Sequence, residues 1–251
     1  EQIKKDGFQI CGFADMELNV NNLGGMARSI GIAVTKIVRV LERNIPNILL
    51  LHGDRGEMLA GAIVGAHMNI LVAHVSGGAI SSSIDDLIRH SITKLSHIHF
   101  PATKECAKRL IRMGEAPKRI FLVGEPALDT IINQRLISPQ EIATRYNFNL
   151  KKPIIICVQH PVSYEIKETG RQMKETMQAL AELKYQTVVI YPNSDAGSRE
   201  MIKIIEKYRK KYKFLRVFKS IPFLDYLSIM NITQAMVGNS SSGLVEAPYF
   251  R

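Results

Sequence analysis

Cysteine is scarce. The 251-residue chain has three, Cys11, Cys106 and Cys157, and they lie far apart. An odd, scattered set argues against a disulfide framework and against a cysteine-built metal site. The expectation is three small buried apolar side chains in a reducing compartment. Long apolar runs are also missing. None approaches the ~18 residues that span a bilayer. The first residues, EQIKKDG, are charged and precede no signal-type apolar core. The chain therefore reads as soluble and cytoplasmic, with no membrane partner. Two nucleotide signatures are absent as well. Without GxxxxGK[ST] this is not a P-loop NTPase, and without GxGxxG a dinucleotide cofactor is not expected. No His/Cys/Asp spacing suggests zinc. The expectation is no cofactor and no metal.

What is present is an ordinary globular composition, 46% apolar and 22% charged, with a net charge of +10. Enough apolar side chains exist to bury a core. A basic chain often meets phosphate, on nucleic acid or on a nucleotide-bearing substrate. Here the basic residues are spread over helices. The run KYRKKYK (207–213) lies in one of those helices and reads as a solvated helix face. No nucleic-acid partner is expected.

Apolar runs alternate with longer amphipathic ones. Strands are expected at 47–51, 70–75, 97–102, 119–123, 153–159, 187–191, 214–218 and 234–237. Helices are expected at 57–68, 85–95, 103–113, 138–146, 167–183, 197–212 and 223–230. Ser138-Pro139-Gln140-Glu141 is a capping box with proline at the first helical position. Strands separated by helix-length segments make βαβ units and a parallel sheet. Fully apolar strands fit a sheet covered on both faces. The polar segment 136–152 separates two such series. The expected architecture is α/β, with two Rossmann-like doubly wound domains, 1–136 and 137–251, and a cleft between them.

In such sheets ligands bind at the carboxyl ends of the strands. The first exit is His52-Gly53-Asp54-Arg55, where Asp54 either faces a ligand or caps the next helix. The second is His74-Val75-Ser76-Gly77-Gly78, leading to a helix with Asp85, Asp86, Arg89, His90 and Lys94. Spacing puts Arg89 on the face of Asp85, with Asp86, His90 and Lys94 along an adjoining one. Acids at a helix start also complement its dipole, which accounts for Asp85 and Asp86 but not for the basic residues. The third exit is His160-Pro161. The fourth is the polar run 193–198. The fifth is Gly238-Asn239-Ser240-Ser241-Ser242-Gly243, with Glu246 close behind. Hydroxyls and amide N–H groups at a helix start suit a phosphate. A carboxylate there can accept from ribose hydroxyls.

The stretches GDRxE (53–57), IDDxIRHxITKLSHxHF (84–100), VGEPALD (123–129), QHPV (159–162), YPNSDAGS (191–198) and GNSSSGLVEAP (238–248) resemble the hydrolysing UDP-N-acetylglucosamine 2-epimerases of sialic- and nonulosonic-acid synthesis. The resemblance implies a GT-B-like fold, metal-free chemistry and a homodimer or homotetramer. It implies a UDP-sugar substrate, from which UDP leaves C1 while C2 is inverted through a glycal. Asp54 and Asp85 would be acid/base carboxylates. Arg55 and Arg89 would hold charge near the sugar or diphosphate, with His74 and Lys94 beside the substrate. His160 would assist the leaving phosphate. Asn239, Ser240 and Ser241 would hold the diphosphate, and Glu246 the ribose. A UDP- or GDP-linked diacetamido sugar, as in legionaminic-acid synthesis, is the alternative substrate. A glycosyltransferase or a non-catalytic nucleotide-sugar binder is the alternative class.

Two departures stand out. The family pattern His-x-Glu-Gly-Gly-Glu is His74-Val75-Ser76-Gly77-Gly78-Ala79 here, so both glutamates are replaced. Loss of a proton-transfer group typically costs ~10²–10⁴-fold in rate. The family's first strand and Gly-Thr-Arg loop would also precede Glu1, and a glycine/arginine segment would follow Arg251. The chain is thus expected to be incomplete at both ends, with a first sheet short of one strand.

Overall fold

The computed structural model describes residues 2–18, 22–81 and 83–250. The chain divides into two compact units, Glu1–Pro126 and Ala127–Arg251. This division falls earlier than the expected boundary at 136. Helix Pro126–Asn133 begins at the division, and Ile137 already donates its N–H to Ser228 Oγ of the second unit at 3.0 Å.

In the first unit, strands β1 (Ile48–His52), β2 (Leu71–Val75) and β3 (Ile98–Phe100) form a parallel sheet in the order β1-β2-β3. Its helices are α1 (Gln2–Lys5), α2 (Leu23–Leu41), α3 (Gly56–His67), α4 (Ile84–Lys94) and α5 (Lys104–Arg112). Leu51 and Val72 pack with Ala62 of α3 and Ile92 of α4. Helix α3 is built largely of alanine and glycine, which lets it lie close to the sheet. A Cβ on Gly65 would come 2.6 Å from Val72 Cγ2. The opposite sheet face is not covered as fully apolar strands led us to expect. Ile48, Leu50 and Leu71 are about half exposed, because α2 and α3 stack on the Leu51 side.

Two further expectations are corrected here. Residues 119–123 form no strand. They run beside β3, with Phe121 N–H donating to His99 O at 2.8 Å and a single bridge at Ile120. Phe121, Leu122 and Val123 are about half exposed, so little burial rewards a full ladder. Cys106 and Cys157 are buried, but Cys11 is exposed on a segment outside any helix or strand.

The second unit holds α6 (Pro126–Asn133), α7 (Pro139–Tyr146), α8 (Thr169–Leu183), α9 (Ser198–Lys211), α10 (Phe223–Asn231) and α11 (Ser242–Val245). Ser138 caps α7 by accepting from Glu141 N–H, as the capping box requires. Strands β4 (Ile154–Val158), β5 (Gln186–Ile190), β6 (Leu215–Phe218) and β7 (Ala235–Gly238) pair in parallel in the order β6-β5-β4-β7. Here both faces are covered. Ile155 and Cys157 pack with Met173, Met177 and Ile205 of α8 and α9. Ile154, Ile156 and Val158 pack with Ile142 of α7 and Ile229 of α10. Burial on that sheet pushes the Cys157 thiol up to about 12. In KYRKKYK, Tyr208 and Tyr212 pack against this core and the basic residues point outward.

The chain winds from β4 through β5 to β6, then returns to the other side of β4. Strand order therefore reverses between β4 and β7. That point leaves a crevice at the strand carboxyl ends where such sheets take ligands. Gln159-His160 and Gly238-Asn239 occupy those ends. Among the described residues, no helix is long and apolar enough to cross a membrane.

Candidate functional site

In the first unit the exits of β1 and β2 are tied by charge. Arg89, buried on α4, forms an ion pair with Asp54 at the exit of β1. Its other terminal nitrogen donates to Asp86 Oδ1 at 2.9 Å and to Ala79 O at 3.0 Å. One guanidinium thus joins the β1 exit, the glycine turn and the first turn of α4. Its partner on the helix is Asp86, three residues back, rather than Asp85 four back. Both spacings bring side chains together, and Asp86 is the one shared with the turn, accepting from Ser81 N–H at 2.6 Å. The Asp85 carboxylate instead accepts from Ser83 Oγ at 2.9 Å.

His74 is fully buried. Its Nε2 meets Gly53 O at 2.8 Å and its Nδ1 meets Thr93 Oγ1 at 3.2 Å. A carbonyl can only accept, so the neutral tautomer carries its proton on Nε2. Desolvation lowers the imidazole to about 4. His74 holds the β1 exit to α4 from inside. Lys94 lies at the far end of α4, nine residues from Asp85, or about 13 Å along the axis. It pairs with Glu115 at 2.5 Å. The same carboxylate meets His99 Nε2 at 3.2 Å. The structure does not bring Lys94 to Asp54 or Asp85. Arg55 is the N-cap of α3, with its side chain 3.9 Å from Glu57.

Ser76 sits at the exit of β2 with φ 61, a left-handed value uncommon for a residue with a side chain. Such backbones gather at functional sites. Its Oγ lies 3.2 Å from His52 Nε2 and 3.5 Å from Glu125 Oε2. The hydroxyl has one proton. If it donates to the carboxylate, it accepts from His52 Nε2–H, giving an ordered chain from imidazole to hydroxyl to carboxylate. This is not a nucleophile triad, in which the imidazole would stand in the middle. Behind it, Gly78 has φ 81, and a Cβ there would lie 2.6 Å from Cys106 O. Only glycine makes this turn. Sequence reasoning assigned no role to His52 or Glu125. Glu125 was visible in VGEPALD, but its partner Ser76 is forty-nine positions away.

In the second unit, Asn239 joins the two strand exits at the order reversal. Its Oδ1 accepts from His160 N–H at 2.7 Å and its Nδ2 donates to His160 O at 3.0 Å. His160 Nδ1 accepts from Asn193 N–H at 3.1 Å, which leaves the ring proton of the neutral form on Nε2. Gly238 has φ 132, and a Cβ there would fall 1.9 Å from Val158 O. The backbone of β7 can approach β4 only because that Cβ is absent. The serine loop then folds on itself. Ser240 Oγ accepts from Ser242 N–H at 3.4 Å, and Leu244 N–H donates to Ser241 O at 2.8 Å. The helix that follows, α11, is four residues long. Its dipole is correspondingly small, so the expected helix-start anion site reduces to the loop's own hydroxyls and amides. Glu246 is half-buried at the end of α11.

Parallel sheets with charged and hydroxyl groups at their strand exits define a Rossmann-like α/β protein of two units. The sequence matches the UDP-N-acetylglucosamine 2-epimerase family over residues 1–251, and the chain belongs to that family. It is 38% identical over 249 residues to a UDP-N,N'-diacetylbacillosamine 2-epimerase (hydrolyzing) of Legionella pneumophila, covering 99% of this chain and 66% of that protein. It is 39% identical over 226 residues to a UDP-N-acetylglucosamine 2-epimerase of Neisseria meningitidis, covering 90% of this chain and 59% of that one. The chain thus spans less than two thirds of the length of these relatives. The crystal structure of UDP-GlcNAc 2-epimerase from Neisseria meningitidis bound to UDP-GlcNAc has the same fold. Its TM-score is 0.74 at 15% identity, over 90% of this chain and 63% of that one.

Proposed function

We propose that the protein is a hydrolysing 2-epimerase that converts UDP-N-acetylglucosamine and water to N-acetylmannosamine and UDP. The observation that carries this is the Arg89 node, which fixes Asp54 and the start of α4 at neighbouring strand exits. The chemistry needs such carboxylates. In the elimination a base takes the C2 proton, the C2–H electrons become the C1=C2 bond, and the C1–O bond breaks with its electrons leaving on UDP. In the hydration the C1=C2 electrons take a proton from an acid at C2 on the other face, and water adds its oxygen to C1 while giving its surplus proton to a carboxylate left deprotonated. Asp54 and Asp85 serve as acid and base. Arg89 orients Asp54, and His74 holds the β1 exit around it from inside. Arg55 lies beside Asp54 as a cation for the phosphate. His160, with Nε2 protonated, donates to the leaving diphosphate. Asn239, Ser240 and Ser241 receive that diphosphate and Glu246 the ribose.

A second substrate is favoured by the Legionella relative, whose match covers nearly the whole chain. It is a UDP-linked 2,4-diacetamido sugar, undergoing the same elimination and hydration. The family resemblance extends the proposal to a cytoplasmic homodimer or homotetramer without a cofactor.

The test is to incubate the full-length protein with UDP-N-acetylglucosamine, and separately with UDP-N,N'-diacetylbacillosamine, and to follow both by ³¹P and ¹H NMR. UDP appearing with the free 2-epimer supports the proposal, and the faster substrate identifies the sugar. Binding without release points to a nucleotide-sugar binder. Release that needs an acceptor points to a transferase.

A further inference from the structure

We propose that Glu125 is a catalytic carboxylate of this site, giving and taking protons at sugar C2 from the exit of β2. The proposal rests on the epimerase function above. That chemistry asks for two proton-transfer groups, on opposite faces of C2. Ser76, at the β2 exit, cannot be one of them, because a hydroxyl is no base near neutral pH. Glu125 is the carboxylate that reaches the same place from a different part of the chain. Residues 120–123 run alongside β3, with Val123 N–H donating to Pro101 O at 3.3 Å. This delivers Gly124-Glu125 to the same end of the sheet as His52 and Ser76. The positive φ of Gly124, 89°, turns the chain there. Glu125 Oε2 then lies 3.5 Å from Ser76 Oγ. A glutamate side chain at position 76 would carry its own carboxylate oxygens roughly 2.4 Å beyond that atom. The Glu125 carboxylate therefore stands in the neighbourhood that an acid at 76 would fill.

The surroundings fit a proton-transfer group. Glu125 is half-buried, so it is held by the protein yet open to a ligand. Ser76 and His52 form a hydrogen-bonded chain on its Oε2 side. When Glu125 is protonated, the same chain can reverse its donors, with His52 accepting, so both protonation states are accommodated. Ser76 and His52 are positioning residues, and Glu125 is one of the two groups that meet C2, taking the role on its face while Asp54 or Asp85 keeps the role on the other. In the forward direction Glu125 takes the C2 proton as UDP departs, or returns one as water adds. Either way, one proton is lost and one regained per turnover.

The experiment compares wild-type, Glu125→Gln and the exchange variant S76E/E125S in the full-length protein, with UDP release as the rate. Glu125→Gln is expected to lower kcat by ~10²–10⁴-fold. KM should stay within about threefold, and one limb of the pH–rate profile should disappear. S76E/E125S, which returns the acid to the β2 exit, should recover much of the rate. It also carries the test if Glu125→Gln does not fold. Glu125→Gln turning over within about threefold of wild-type overturns the proposal while leaving the epimerase function standing. So does a loss that keeps the wild-type pH profile and is not relieved in S76E/E125S. A wild-type protein that releases no UDP from either sugar nucleotide overturns the epimerase function itself, and this assignment with it.

Discussion

Asn239 grips the backbone of His160 from both sides, accepting its N–H at 2.7 Å and donating to its carbonyl at 3.0 Å. A side-chain amide does here what a continued sheet would do, past the ends of β4 and β7. Asn239→Asp keeps the acceptor but sets a carboxylate against the His160 carbonyl. Asn239→Ala loses both bonds. Each should weaken UDP binding several-fold by isothermal titration, with Asp no better than Ala. The expected local cost is about 1 kcal/mol, seen as faster hydrogen exchange at the His160 amide.

Gly238 tests how closely β7 approaches β4. With φ 132 and a Cβ that would sit 1.9 Å from Val158 O, Gly238→Ala cannot be accommodated without moving a strand. The expected cost is more than about 4 kcal/mol. Amide exchange should rise across β4 and β7, and UDP affinity should be lost.

Arg89 answers three acceptors from a buried position. Arg89→Ala removes the guanidinium that Asp54 and Asp86 share, at about 3 kcal/mol of stability. Arg89→Lys keeps the charge but not the fork, and should recover part of the stability and little of the rate. Urea unfolding with parallel UDP-release assays separates the two effects.

His74 sets a pH dependence. Its imidazole is lowered from 6.5 to about 4 by burial, so the unfolded chain binds the proton more readily than the folded one. Stability from this group is complete above pH 6.5 and is lost as pH falls from there toward 4. Over that window the loss amounts to about 3 kcal/mol. His99 is also lowered by burial and adds in the same sense. Urea midpoints at pH 7.5 and 5 should differ strongly in wild-type and less in His74→Gln. Equal differences would remove His74 from the explanation.

Periodicity and capping made most of the fold legible in the sequence. The strands of the second unit, the Ser138 cap and the strand exits all lie within a residue or two of where they were expected. Helix α2 is marked in the sequence as well, by Asn22 as a cap and apolar residues at Met26, Ile30, Ala33, Ile37 and Leu41. Other features were not legible, for physical reasons. Residues 119–123 are apolar enough for a strand, but ladder formation depends on what covers them. The choice of Asp86 over Asp85 by Arg89 depends on which side of α4 faces the β1 exit. The meeting of Ser76 with Glu125 depends on chain returning to the sheet forty-nine residues later. Local pattern contains none of this.

The central claim, proton exchange at C2, has one direct measurement. The full-length protein is run to completion in D₂O with its UDP-sugar, and the released sugar is read by ¹H NMR and mass spectrometry. The account expects a free 2-epimer with deuterium at C2 and a collapsed C1–H coupling. Release of UDP with protium retained at C2 would contradict it, because no carboxylate at the strand exits would then have taken that proton.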